Sequence, residues 1–503
     1  MNMSTRSFKM ALYILLCSAT FISCQRDNID TTGSSTTKSD TVATSTLTET
    51  QQATKFAYDI LSDIYFWKDS ISSNLGRLST DTTTNPSYVV SSIRYKSDKW
   101  TSLYKTTTTK TDETETTFGY DLDLYLFSNS SSDVYGIVNF VYADSPAAKA
   151  GLKRGDIILT INNNYITTSN YTDLYDATSL TLGFGALSAD GKSIGNDASR
   201  SDVSLNATSM YEDPVVKDTI VTTDGGNQVG YLLYTSYTLT SISKLKSEFD
   251  KFKAKGITDL VLDLRYNGGG YVTTAQALSS LIAPSTALTN KSVLLQCIWN
   301  NTYEAYWKSK NNDDKLNVRF TDAVSYTDTY NKAQSVTLSG ANLNLNRLYV
   351  LVGSGTASAS EATITGLKPY MSSVVLIGDQ TYGKSYAGII YDGSDYGTAI
   401  NDWKLYAMVY RYADENGSSP ALNGFTPNYS RSDDQFDGYQ LGDKGETLFA
   451  TALNLIDGKT VTTKTLTRSG ITSNAHIFRK GYSQNPIQGI LYDDRIKNPT
   501  LIK

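Results

Sequence analysis

The sequence predicts a multidomain protein of the mixed α/β (α+β multidomain) class, with a small helical N-terminal segment, a β-rich module and a layered α/β domain. Three observations carry that prediction. From residue 213 to residue 457, apolar runs of strand length alternate with segments of helical period, the pattern of a layered α/β core. Residues 117–212 read instead as short strands separated by turns, and residues 51–116 hold one clear amphipathic helix. The length of 503 residues accommodates roughly two to four domains with ample core.

Composition excludes several functions. The 45 Lys+Arg and 50 Asp+Glu are spread along the chain, so no basic surface for nucleic acid is expected. The single histidine, His476, and cysteines at positions 17, 24 and 297 form no metal spacing. A metal-dependent hydrolase is therefore a poor reading, and no cofactor is expected. A Ser-His-Asp hydrolase would have to use that one imidazole.

Arg6 and Lys9 precede an apolar run at residues 10–22, too short to span a bilayer, that ends in Phe21-Ile22-Ser23-Cys24. This is a signal peptide over residues 1–23. It resembles a bacterial lipoprotein signal, which implies lipidation of Cys24 as the first mature residue and a membrane partner through that anchor. Gln25 after the cysteine, by resemblance to sorting in Gram-negative bacteria, points to the outer membrane of the cell envelope, with either face open. Only Cys297 then remains as a free thiol, so no intrachain disulfide is available. Residues 24–50 are rich in Ser, Thr and Asp and read as a tether. In the helical segment, residues 51–116, Phe56, Ile60, Leu61, Ile64 and Tyr65 follow helical spacing.

The β-rich module, residues 117–212, has strands at 121–126, 134–141 and 157–161, with a short helix after Ser145-Pro146 that stops at Gly151. Ser145 through Ile157 matches S-P-A-x-x-A-G-L-x-x-G-D-x-I, and the series resembles a PDZ domain. The resemblance implies strand addition of an extended peptide, with its terminal carboxylate held by the loop Phe118-Gly119-Tyr120-Asp121-Leu122. Asp121 departs from that pattern, since a carboxylate there would repel the ligand terminus.

Three segments of the α/β domain, residues 213–457, could do chemistry. Asp263-Leu264-Arg265-Tyr266-Asn267-Gly268-Gly269-Gly270 lies between a strand and a helix, and its glycines let backbone amides converge on an anion. Gly353-Ser354-Gly355-Thr356-Ala357-Ser358-Ala359-Ser360-Glu361 is a strand, a small-residue turn and a helix start. A serine there sits at the positive end of a helix dipole, although Ser358 and Glu361 also satisfy a capping box. The third, Gly378-Asp379-Gln380-Thr381-Tyr382-Gly383-Lys384-Ser385, matches the phosphate-binding loop of nucleotide hydrolases. That loop needs Lys-Ser to open a helix, whereas residues 385–391 read as a strand, so the nucleotide reading fails.

Together, in this order and behind a PDZ-like module, the segments resemble the S41 family of C-terminal processing (tail-specific) serine proteases over residues 50–457. The resemblance implies Ser358 as nucleophile and Lys384 as general base. It also implies oxyanion stabilisation by backbone amides of Gly268, Gly269 and Ala359, with Glu361 and Thr381 in support. Ser354 and Ser360 rank below Ser358 as nucleophiles. A lysine with an ordinary pKa of about 10.4 must be pushed toward about 7 to 8 to serve as a base, and desolvation is the means. Tyr382, Tyr386, Ile389 and Ile390 flank Lys384 and are the residues expected to bury it. Many family members place a Gln four residues after the lysine, where this chain has Gly388, and some place an acidic residue where it has Pro369. The expectation is a serine endopeptidase acting on unfolded or C-terminally presented polypeptides through an acyl-enzyme. The alternative is a catalytically silent peptide-binding lipoprotein. Residues 458–503 form a C-terminal extension without strong pattern.

Overall fold

The computed structural model describes residues 47–106, 114–328, 331–462, 476–479, 490–496 and 501–502. The signal segment, Cys24 and most of the tether lie outside the described residues.

The layered domain is built on a six-stranded sheet in the order Val215–Thr222, Gln228–Tyr234, Asp259–Asp263, Arg347–Val352, Ser373–Gly378 and Tyr429–Ser430. Only the first pair is antiparallel; the others are parallel. Parallel strands need covered faces, and their residues are accordingly apolar on both sides. Helices Ser241–Ala254, Val272–Ile282 and Ala359–Leu367 contribute Ile242, Leu245, Phe249, Leu278 and Ile364 to one core, while Thr447–Ile456 packs Leu448, Phe449 and Ala452 into another. These elements match the sequence expectation closely, and the strand Tyr386–Asp392 follows Lys384 with no helix.

A second sheet in the same domain orders Gly270–Tyr271, Leu491–Tyr492, Tyr386–Asp392, Trp403–Ala413, Val293–Trp299 and Asn317–Arg319. The N-terminal segment is built into this domain. Its helix Glu49–Asp63, capped by Thr48, buries Ala53, Phe56, Ala57, Ile60 and Leu61 in the main core, and its strand Ser102–Lys105 pairs antiparallel with Trp403–Ala413. The helical period was legible; its docking, which needs that long-range pairing, was not.

The β-rich module forms its own sheet around Leu122, Leu124, Val138, Ile158 and Phe184. Within it, Tyr120–Leu126, Val134–Val141, Ile157–Ile161 and Ser179–Leu187 are consecutive neighbours. The C-terminal extension joins two sheets: His476–Arg479 pairs antiparallel with Tyr120–Leu126, and Leu491–Tyr492 lies between Gly270–Tyr271 and the Tyr386–Asp392 strand. Two- to four-residue strands of this kind leave no periodicity long enough to read from sequence.

Candidate active site

The three chemistry-bearing segments leave the carboxyl ends of three neighbouring parallel strands, Asp259–Asp263, Arg347–Val352 and Ser373–Gly378. Open α/β sheets place their sites at such ends. Hydrogen bonds then lace the segments together. Thr356 Oγ1 receives the Gly353 amide at 2.9 Å and donates to Leu264 O at 2.8 Å, the Ala357 amide donates to Asn267 O at 3.1 Å, and the Tyr382 amide donates to Thr356 O at 2.9 Å.

Ser358 stands at the start of helix Ala359–Leu367 with φ 64° and ψ −112°. That is outside the left-handed helical region and costs a non-glycine residue of order 1–3 kcal/mol, which the surrounding structure must offset. Its backbone is held from both sides. The Ser358 amide donates to Glu361 Oε2 at 3.0 Å and its carbonyl accepts from the Ala362 amide at 2.8 Å. A Cβ at position 269 would lie 2.6 Å from Ser358 Cβ, so only glycine fits against the serine, and Gly269 also has φ +110°. Ser358 Oγ is buried; it faces the Glu361 backbone amide in capping-box fashion but makes no full hydrogen bond to it or to any other described residue. A buried hydroxyl left without a partner costs stability, and such orphans call for an explanation. The rival serines differ: Ser354 is exposed, and Ser360 Oγ donates to Asn267 O at 3.1 Å.

Glu361 is the structural hub. Fully buried, its carboxylate receives the amides of Ser358, Gly383 (2.8 Å) and Lys384 (2.8 Å), and the Thr381 hydroxyl at 2.6 Å. A single oxygen, Oε2, therefore holds the backbone nitrogens of both Ser358 and Lys384. Burial raises the Glu361 pKa, and the four donors oppose that rise. Thr381 Oγ1 in turn accepts from the Phe425 amide at 2.7 Å.

Lys384 is completely buried, and desolvation drives its amine well below the ordinary lysine pKa against the opposing pull of Asp98 and Glu361. Its Nζ lies 4.9 Å from the centre of the Trp100 ring and 5.3 Å from that of Tyr406, and 3.3 Å from the Tyr406 hydroxyl. Trp100 and Tyr406 were not among the residues expected to enclose it. Of those that were, Ile389 and Tyr386 are buried, whereas Tyr382 is 43% exposed. Tyr412 adds a further clamp, its hydroxyl 2.7 Å from Lys384 O and 3.3 Å from Ser358 O. Strand period alone does not point to Tyr406: a bulge opposite Ala387 and Gly388 pairs Tyr406 with Ile390 but Tyr410 with Ala387, so the parity of the strand Trp403–Ala413 changes between them.

Two expectations are modified. The Gly269 amide donates to Asn267 Oδ1 at 2.9 Å and so faces the loop's own side chain, because Asn267 closes a local turn. The amides of Gly268 and Ala359 have no partner among the described residues. Second, Ser358 and Lys384, expected as nucleophile and general base, make no Oγ–Nζ hydrogen bond in this conformation.

In the β-rich module, Phe118, Tyr120 and Leu122 are core residues. The Gly119 amide donates to Thr117 Oγ1, and Asp121 receives the Asn139 side chain at 2.7 Å, which ties its carboxylate to the next strand. The edge at which a peptide would add is occupied by the chain's own His476–Arg479, with Phe478 set perpendicular to Tyr171 at 5.0 Å. Arg154, from the turn that closes the PDZ-like signature, reaches out of the module to Tyr266 and Asp433 beside the glycine loop.

This geometry agrees with comparisons to known proteins. Residues 228–431 match peptidase family S41, and residues 137–180 match the PDZ domain. The chain carries an S41 peptidase domain and a PDZ domain. The carboxy-terminal processing protease CtpA of Bacillus subtilis is 26% identical over 310 residues, 60% of this chain and 56% of its own length. The chloroplastic C-terminal processing peptidase of Tetradesmus obliquus is 24% identical over 287 residues, 55% of this chain and 53% of its own. The chain thus spans a little over half the length of these curated relatives. A crystal structure of a Bacteroides fragilis protein assigned to the S41 proteases shares the fold, with TM-score 0.62 and 24% identity over 81% of this chain and 98% of that one. All three lacing segments of the candidate site fall inside the S41 match, and the Ser145–Ile157 signature falls inside the PDZ match.

Proposed function

We propose that the chain is a serine-type endopeptidase that hydrolyses unfolded or C-terminally presented polypeptides with Ser358 as nucleophile and Lys384 as general base. One observation carries this reading: a buried, orphaned serine hydroxyl on a strained helix-start residue shares its backbone anchor, Glu361, with a buried lysine whose burial favours the neutral amine. Substrate binding brings the hydroxyl and the amine into hydrogen-bond contact, a tightening common on forming the Michaelis complex. Lys384 takes the Ser358 proton as Oγ attacks the carbonyl, and the Gly268 and Ala359 amides receive the oxyanion. The amine then returns the proton to the leaving nitrogen, and water releases the acyl group from Ser358. The PDZ domain binds the polypeptide once the chain's own His476–Arg479 gives up the edge strand it pairs with, and lipidated Cys24 anchors the protein to the cell envelope, with the outer membrane as the proposed site.

The test is an active-site probe. A fluorophosphonate is expected to modify Ser358 in the mature protein and to leave Ser358→Ala and Lys384→Ala unmodified; degradation of an unfolded protein should follow the same pattern. No adduct and no degradation by the wild type would replace this reading with that of a silent peptide-binding protein. Membrane partitioning that survives Cys24→Ala would reject the anchor.

A further inference from the structure

We propose that Tyr406 is the positioning residue for the Lys384 amine, standing in the space that the absent side chain of residue 388 leaves open. Tyr406 lies in strand Trp403–Ala413, opposite Ile390 of the strand that follows Lys384. A Cβ built on Gly388 would meet Tyr406 Cε2 at 2.5 Å and Cζ at 2.7 Å, with Met408 Cε also at 2.5 Å. Gly388 and the phenol ring therefore compete for one volume, and glycine is the residue that admits the ring. The hydroxyl so placed is 3.3 Å from Lys384 Nζ.

The direction of that hydrogen bond is set by the other partner. Tyr406 has one proton, which it donates to Leu491 O at 3.0 Å, so its oxygen accepts an N–H from the lysine. A neutral primary amine has two N–H groups and one lone pair, and fixing one N–H restricts rotation about the last bond of the side chain. The lone pair is then confined to a narrow set of directions, which is what a base needs before its acid arrives. Tyr406 is itself immobile, with its ring buried and its hydroxyl tied to the strand Leu491–Tyr492. Among the described residues, the groups that act on the amine include this phenol, the Trp100 ring, and the carboxylates of Asp98 and Glu361. Asp98 is held by the Tyr65 hydroxyl and by the amides of Trp100 and Thr101, and Glu361 by its four donors, so neither carboxylate is left to orient the amine alone.

This inference rests on the Ser358–Lys384 reading and is testable apart from it. Tyr406→Phe keeps the ring that fills the space and removes only the acceptor. Tyr410→Phe is the control, because Tyr410 lies on the same strand and its hydroxyl anchors the same C-terminal segment through Asp493 at 2.8 Å. Peptide hydrolysis by the full mature chain is measured against pH for both, with melting temperatures. Tyr406→Phe is expected to lower kcat about tenfold with KM within about twofold, and to move the acid limb of kcat/KM to lower pH, since an acceptor favouring the protonated amine is gone. Tyr410→Phe is expected to lower the melting temperature while leaving kcat within about twofold and the acid limb in place. Should Tyr406→Phe fail to fold, Gly388→Ala pushes the phenol from the opposite side with its hydroxyl intact, and a fall in kcat at constant KM is again expected. Wild-type kcat and an unmoved acid limb in Tyr406→Phe, or an equal loss in Tyr410→Phe, would overturn the positioning role while Ser358→Ala stays inactive. Activity retained in Ser358→Ala would instead overturn the catalytic reading and the inference with it.

Discussion

Two of the regions in which this protein buries cations treat the charge in opposite ways. Around Arg265 and Arg154, below the glycine loop, the guanidinium groups are met by carboxylates: Arg265 bonds Asp263, Asp433 and Glu446, and Arg154 bonds Asp433 and the Tyr266 hydroxyl. Burial alone would raise the Glu446 pKa, yet Arg265 beside it holds the carboxyl below the usual range. Twenty-six residues beyond Ser358, Lys384 meets the rings of Trp100 and Tyr406 and a phenol oxygen, and burial pushes its pKa down. The lesson is that burial does not by itself mark a functional cation. A guanidinium that cannot lose its proton is used with partners as scaffold, whereas an amine that can is placed where losing it is favoured.

The contrast can be broken at either end. The largest expected effect is on catalysis: Ser358→Ala and Lys384→Ala should each reduce peptide hydrolysis by at least about 10³-fold, with the double variant no worse, because the two act as a unit. Steady-state kinetics of the three proteins would check this. Next, Arg265→Met should destabilise the protein by about 3–5 kcal/mol in urea unfolding, because it strands Asp263 and Glu446 without their cation.

Lys384→Met should do the reverse and raise the melting temperature at pH 7 by about 2 °C or more, since it removes a buried amine that resists its charge. The sign follows from proton uptake. The unfolded lysine holds its proton to about pH 10.4, the folded one releases it at lower pH, so between those values unfolding takes up a proton and wild-type stability rises with pH. The advantage of Lys384→Met should therefore shrink as pH approaches about 10; an advantage constant with pH would contradict it. The smallest effect is expected for Tyr382→Ala. Its side chain is 43% exposed, so stability should change by no more than about 0.5 kcal/mol and hydrolysis by less than about twofold.

The order of elements in the larger domain was legible because the central parallel strands each carry a continuous apolar run, and the residues lacing Ser358 to Lys384 lay within segments already marked by their small residues and strand-end positions. What was not legible was everything brought from far along the chain. Trp100 comes from the N-terminal segment, Tyr406 from a strand whose register with Tyr386–Asp392 has a bulge between Ala387 and Gly388, and Leu491 from a two-residue strand. None of these has a local pattern that declares its partner. The flanking residues favoured by proximity do not enclose the amine as a set: Tyr382, across Gly383 with its φ of 92°, stays 43% exposed, so nearness in sequence does not enclose a side chain. Asn267 shows the same limit on a smaller scale, since its side chain takes the amide that a glycine loop alone would have left open.

The most direct test of the account is the ionisation of Lys384 itself, followed by NMR of isotope-labelled lysine side chains and assigned by the resonance lost in Lys384→Met. The expected result is one amine that loses its charge at clearly lower pH than the ordinary lysine value of about 10.4, because its burial disfavours the charge. A Lys384 resonance that titrates together with the exposed lysines would contradict the account.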